Sequence, residues 1–184
     1  MSPRPAPDLD LRREQIVQSA STIAESEGWG AITIRRLAAQ IGLSQPVLYS
    51  AFPDGRQAVI DAVAIAGFDA IAAALEAVEP EPVARLRAYL DFALDHPHLY
   101  EAMFTMPSGL TFGPGNSIPS LQRAFAAIQQ AFPGADGARA EVAWATIHGL
   151  ATLQLSHRLP EATLDARLEY ARRMLATPAC PGAA

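Results

Sequence analysis

Thr33-Ile-Arg-Arg-Leu-Ala-Ala-Gln-Ile-Gly-Leu-Ser-Gln-Pro-Val-Leu-Tyr-Ser-Ala-Phe52 reads as a short helix, a three-residue turn and a second short helix. The hydroxyl of Thr33 is placed to accept from backbone N–H groups that have no partner inside the first helix. Ile32 before this cap and Leu37 in the first turn have the spacing of a hydrophobic staple. Gly42 falls where the chain must turn through positive φ, which glycine does without steric cost. Ser44 stands at the cap of the next helix, and Leu43 and Leu48 repeat the staple around it. Ile34, Leu37, Ala38 and Ile41 recur at helical spacing and bury one face, while Arg35, Arg36 and Gln40 point elsewhere. This is the pattern of a helix-turn-helix, with polar residues on the second helix where DNA would lie.

Working outward, residues 1–8, Met-Ser-Pro-Arg-Pro-Ala-Pro-Asp, read as a mobile arm. Leu11, Ile16, Val17, Ala20 and Ile23 mark an amphipathic helix over 9–27 that ends at Gly28 and Gly30. Phe52-Pro53-Asp54-Gly55 breaks the chain before a longer helix over about 55–78. Pro80 and Pro82 precede a helix to Asp95 on the stripe Val83, Leu86, Leu90 and Ala93, and His96-Pro97 restarts a short one through Met106. Pro107–Ser117 is a long loop, and helices follow near 118–132, 137–156 and 161–176. Nothing alternates with the period of a strand, so the fold class expected is all-α, with about nine helices.

The chain has 184 residues, 50% of them hydrophobic and 18% charged, enough for a small module and a sizeable core. Asp8, Asp10, Arg12 and Arg13 interrupt any apolar run at the start, which argues against a secretory leader. The longest uncharged stretch, Val142–Ser156, holds Thr146, His148, Thr152 and Gln154 and suits a bundle core better than a membrane span. The one cysteine, Cys180, has no partner for an internal disulfide, so the cytoplasm is the compartment expected, with no membrane partner. Net charge is −5, but through residue 60 six arginines balance six acids, and the whole excess lies beyond. All fourteen cations are arginine, whose planar fork suits phosphate and guanine edges, although GC-rich coding gives the same bias. Neither Glu-x-x-His nor His-Glu-x-x-His occurs, nor a Gly-x-Ser-x-Gly elbow or a phosphate-cradling loop. Asp91, Asp95, His96 and His98 could gather at a helix end, where histidine complements the dipole. No catalytic residue, metal ligand or cofactor is therefore expected.

With Glu27-Gly28-Trp29, Ala31-Ile32-Thr33, Arg35-Arg36-Leu37-Ala38, Ile41-Gly42-Leu43-Ser44, Leu48-Tyr49 and Phe52 in register, residues 12–60 closely resemble the tetracycline-repressor-like (TetR) family of bacterial regulators. Trp144-Ala-Thr-Ile-His148-Gly149 resembles the signature of one C-terminal subtype of that family, whose members also carry a His-Pro-x-Leu-Tyr stretch, here His96-Pro97-His98-Leu99-Tyr100. Between a flexible arm over 1–8 and a flexible tail over 178–184, the resemblance implies a three-helix helix-turn-helix DNA-binding domain, here 9–54, and a ligand-binding domain, here 55–177, that dimerises through its last two long helices. It implies DNA-facing roles for Thr33, Arg35, Arg36, Ser44, Gln45, Pro46, Val47, Tyr49 and Ser50. Gln45 would pair with an adenine, Val47 would meet a thymine methyl, and Tyr49 would donate to a phosphate. One departure concerns the lysine that the family places three residues after the phenylalanine, where this chain has Gly55; Arg56 stands in for it, about 100° further around the helix.

In the second domain Tyr89, Phe92, Tyr100, Met103, Phe104, Phe125, Trp144 and His148 are the candidates to line a mostly apolar effector cavity. Trp144 and His148 share a helix face, which points either into that cavity or into a core. Gly149, followed by Leu150 and Leu153, suits a close helix approach at a dimer interface. The function expected is a homodimeric, ligand-responsive repressor, not an enzyme, released from a palindromic double-stranded DNA operator by a small-molecule effector. The alternatives are an activator of the same architecture, or a small-molecule-binding protein or enzyme on a vestigial regulator fold.

Overall fold

The computed structural model describes residues 9–108, 110, 118–134 and 136–176; the arm, the tail and most of the long loop, with Phe112 and Cys180, lie outside them. Among the described residues there are nine α-helices and no strand: α1 (Leu9–Glu27), α2 (Ile34–Gln40), α3 (Gln45–Ala51), α4 (Arg56–Glu76), α5 (Pro82–Asp95), α6 (Pro97–Phe104), α7 (Pro119–Ala131), α8 (Ala138–Leu155) and α9 (Leu164–Ala176). Short 3-10 turns at Trp29–Ala31 and Glu161–Thr163 precede α2 and α9. Proline opens α5, α6 and α7, where its missing N–H costs nothing and its fixed φ already suits a helix. The helix expected from residue 161 starts at Leu164, because the extended Pro160 leads first into a 3-10 turn.

Two compact units result. One runs to Gly67 and takes in His96–Thr111; the other comprises Phe68–Asp95 and the chain from Phe112 onward. A single cut between residues 54 and 55 does not describe this division, because α4 runs through it and α6 belongs with the first three helices. In the first unit α1 packs on α2, α3, the Trp29–Ala31 turn and α6. Ile16, Ile32, Leu37, Leu48 and Ile60 are fully buried there. The Glu25 carboxylate accepts from the backbone N–H of His98 (3.3 Å) and Leu99 (2.8 Å), placing negative charge at the start of α6. The Trp29 indole N–H donates to the His98 carbonyl at 2.9 Å. Gly67 lets α6 approach closely: a Cβ there would lie 2.7 Å from Met103 Sδ and 3.0 Å from Leu99 Cδ1.

In the second unit α5 packs on α7, α8 and α9, and α8 on α7 and α9. Phe68, Ile71, Leu75, Leu86, Ile147 and Leu168 form its core. Arg85 is buried among them; its guanidinium donates to the Leu75 carbonyl near the end of α4 and, at 3.3 Å, to Gln130 Oε1. A cation at a helix C-terminus complements the dipole, which offsets part of the cost of burying it. Arg123 on α7 bridges Glu76 (2.7 Å) and Asp69 (3.4 Å) on α4 and holds the Glu76 carboxyl below its usual range. Helix α4 is long and apolar enough to cross a membrane, yet Val59, Ile60 and Val63 are buried in the first unit and Phe68, Ile71 and Leu75 in the second. It is a core helix.

Candidate nucleic-acid interface and aromatic cluster

Local sequence sets the frame of α2 and α3. Thr33 is extended, and its hydroxyl accepts from the Arg36 N–H at 3.1 Å, which caps α2. Gly42 turns the chain at φ 66, and the Leu43 N–H reaches back to the Ala38 carbonyl at 2.9 Å. Ser44 occupies the cap position of α3, but its hydroxyl makes no capping bond, a correction to the expectation. Pro46 has no N–H to give, and the Val47 N–H is taken by the backbone carbonyl of Ser44 at 3.0 Å. At the other end Arg13 on α1 donates from Nε to the Ala51 carbonyl at 3.1 Å, fastening the last turn of α3.

Leu48 and Ala51 are buried, whereas Ser44, Gln45, Pro46, Tyr49 and Ser50 are exposed and Val47 partly so. Thr33 and Arg35 are exposed as well. Tyr49 leaves half of its surface to solvent, unusual for a large aromatic side chain. The Ser50 hydroxyl donates to the Val47 carbonyl at 2.7 Å. Arg36 pairs with Glu27 on α1. Arg56 turns inward: its Nε donates to the Ile32 carbonyl (3.0 Å) and its Nη2 to the Trp29 carbonyl (2.9 Å). Those bonds tie the start of α4 to the turn before α2. Gly55 is left-handed, at φ 64, with the edge of the Tyr49 ring 3.4 Å from where its Cβ would stand.

The eight side chains expected to line one effector cavity fall into two groups. Tyr100, Met103 and Phe104 lie on α6 in the first unit, where Tyr100 and Met103 are buried and the Tyr100 and Phe104 rings sit 4.8 Å apart. Tyr89, Phe92, Phe125, Trp144 and His148 belong to the second unit. There the Trp144 indole N–H donates to the Tyr89 hydroxyl at 3.2 Å, and Phe125 meets the Trp144 ring edge-on at 6.3 Å. Tyr89 and Phe92 are buried; Phe125, Trp144 and His148 are half-buried. Burial pushes the His148 imidazole below its ordinary pKa, so it is neutral near pH 7. Among the described residues no three His, Cys, Asp or Glu side chains gather as a metal site, and His98 lies instead beside Glu101, Nδ1 to Oε2 3.1 Å. An open groove of about 670 Å³ lies elsewhere, on the first unit between α1 and the end of α2, lined by Leu11, Gln15, Gln18, Thr22 and Ile41 among others.

Helices α8 and α9 carry exposed large apolar side chains, as does the start of α1 with Leu9 and Leu11. Val142 and Leu153 on α8 and Tyr170 and Met174 on α9 are exposed, Met174 by 76%. Gly149 between the α8 pair has nothing within 4 Å of its missing Cβ. The hydroxyls of Thr146, Thr152 and Ser156 bond back to carbonyls of their own helix, which reduces the polarity of α8.

Residues 82–177 match the family model for the tetracyclin repressor-like C-terminal domain. An uncharacterised HTH-type transcriptional regulator of Mycobacterium tuberculosis is 31% identical over 170 residues, 85% of this chain and 76% of that protein. A protein of unknown function from Rhodococcus sp. RHA1 has a similar solved structure, with a TM-score of 0.67, 28% identity and coverage of 95% of this chain and 97% of that one. A possible TetR family transcriptional regulator from Streptomyces coelicolor shares the fold, with a TM-score of 0.60, 20% identity and coverage of 89% and 96%. With a matching family model over half its length and a curated regulator related along most of it, the chain belongs to the tetracycline-repressor-like family of transcriptional regulators.

Proposed function

We propose that the chain is a homodimeric repressor that grips a palindromic DNA operator with α3 and lets go when a small molecule binds its second unit. The observation that carries this reading is the exposed row Ser44, Gln45, Pro46, Tyr49 and Ser50, with the partly exposed Val47, along a helix and its cap whose opposite side is fully buried. Gln45 and Val47, on the first turn of α3, take the base edges: Gln45 pairs with adenine and Val47 meets a thymine methyl. Thr33, Ser44, Tyr49 and Ser50 take the phosphates, and the exposed Arg35 reads a base or a phosphate beside them. Arg36 serves the interface after its bond to Glu27, and Arg56 serves the frame.

The effector site we assign is centred on the contacting Tyr89, Phe125 and Trp144, with Phe92 and His148 of the same unit, and combines aromatic surface with a neutral imidazole and a phenol. The Trp-x-x-x-His-Gly stretch marks the subtype. The exposed apolar residues of α8 and α9 support homodimerisation through these helices. The protein acts in the cytoplasm without enzymatic activity, metal or cofactor. An effector that prefers the conformer whose two reading helices no longer match successive major grooves shifts the population off DNA. Operator selected from genomic fragments, labelled and titrated with the protein, tests this reading. Release by a small apolar compound from wild type, and no release from Trp144→Ala that still binds the operator, is the expected outcome. Sequence-independent binding alone contradicts it.

A further inference from the structure

Arg85, near the start of α5, is only 4% exposed, and a cation so deeply buried is costly unless an anion meets it. Its Nη1 donates to the Leu75 carbonyl, and its Nη2 reaches Gln130 Oε1 at 3.3 Å. Both acceptors are uncharged. Its Nε is buried with no hydrogen-bond partner among the described residues. The Glu76 carboxyl, lowered chiefly by its bond to Arg123 at 2.7 Å, feels Arg85 only as a nearby charge.

In a guanidinium the Nε–H and one Nη2–H point the same way and form a side-on fork that matches the two oxygens of a carboxylate. Here Nη1 fixes the group from the other side, and the fork is left with a single long bond to a neutral amide. Gln130 is exposed, so its side chain can withdraw into solvent and open the fork. One turn along α5 stands Tyr89, whose hydroxyl accepts from the Trp144 indole beside Phe125. All of these residues belong to the second unit.

We propose that the effector is a carboxylate whose two oxygens take Nε and Nη2 of Arg85 in place of Gln130, while its apolar body lies against Tyr89, Phe125 and Trp144. The inference rests on the assignment of the effector site to that aromatic cluster. A carboxylate supplies both oxygens at the spacing of the fork and the charge that the buried cation lacks; a neutral amide offers one oxygen and no charge.

Cinnamate and cinnamamide share their apolar body and differ in this head group, so calorimetric titration of the full chain with each, near pH 7, reads the contribution of the fork. Wild type is expected to bind cinnamate about tenfold more tightly than cinnamamide. Gln130→Glu sets a resident carboxylate on the fork and, as a change at an exposed position, leaves the fold intact; it is expected to erase that preference. Arg85→Met removes the cation and is expected to erase it too. Thermal melts show whether Arg85→Met folds, and Gln130→Glu carries the test if it does not. Cinnamamide binding as tightly as cinnamate, or a preference that survives in either folded variant, overturns the proposal. Trp144→Ala is expected to weaken both compounds alike. If neither binds wild type, or both bind Trp144→Ala as tightly as wild type, the effector-site assignment itself fails, and the proposal with it.

Discussion

At the scale of single residues, on the proposed reading, the exposed side of α3 separates groups that identify bases from groups that hold the backbone. Gln45 offers an amide, which pairs bidentately with adenine, so Gln45→Ala is expected to cost about 1–3 kcal/mol on the selected operator and to relax one base position. Tyr49→Phe removes only a hydroxyl and should weaken all sequences alike, because a phosphate carries no base identity. Binding curves on operator and on scrambled DNA check both; equal losses for Gln45→Ala on the two would remove it from the readers. Arg56 belongs to a different class. Its guanidinium spans the Ile32 and Trp29 carbonyls, so Arg56→Ala is expected to lower folding stability by about 1.5–3 kcal/mol while leaving the salt slope of DNA binding unchanged. A slope reduced by one unit at unaltered stability would make it a phosphate contact.

At the scale of elements, what could be read in the sequence was whatever depends on neighbours three or four residues away. The Thr33 cap, the Gly42 turn and the prolines opening α5, α6 and α7 are of this kind. The membership of α6 was not legible. It is fixed by the Glu25 carboxylate on the Leu99 N–H and by the Trp29 indole on the His98 carbonyl, pairs that neither periodicity nor spacing brings together. For the same reason the eight aromatic and polar candidates read as one set, of which three belong to the first unit and five to the second. Ser44 shows the local rule defeated locally: Pro46 has no N–H to give and the Val47 N–H goes to the Ser44 backbone carbonyl. In the second unit, burial of His148 gives a pH signature. Its folded pKa lies below the ordinary value, so stability is complete above about pH 6.5. As pH falls below that, the unfolded chain takes the proton first and stability declines until the folded pKa is passed. Urea midpoints measured from pH 8 to 5 should fall less steeply for His148→Gln than for wild type, and parallel slopes would contradict the assignment.

At the scale of the whole molecule, on the proposed reading, the short α3 spans too few base pairs alone, so specificity requires two copies on a symmetric site. The exposed Leu153 and Met174 sit on the helices assigned to that pairing. Leu153→Arg or Met174→Glu is expected to leave a folded monomer at concentrations where wild type sediments as a dimer, and to reduce operator affinity to that of a half-site. A dimer that persists through both changes would move the interface elsewhere. The acidic total charge does not oppose DNA binding, because the excess of acids lies beyond residue 60. The central claim is that this dimer reads a specific symmetric sequence, and footprinting on genomic fragments selected at physiological salt tests it most directly. The account predicts one protected inverted repeat with half-site centres about 10 bp or a multiple apart, lost on substitution of Gln45; protection with no sequence preference, or of a single unpaired half-site, would contradict it.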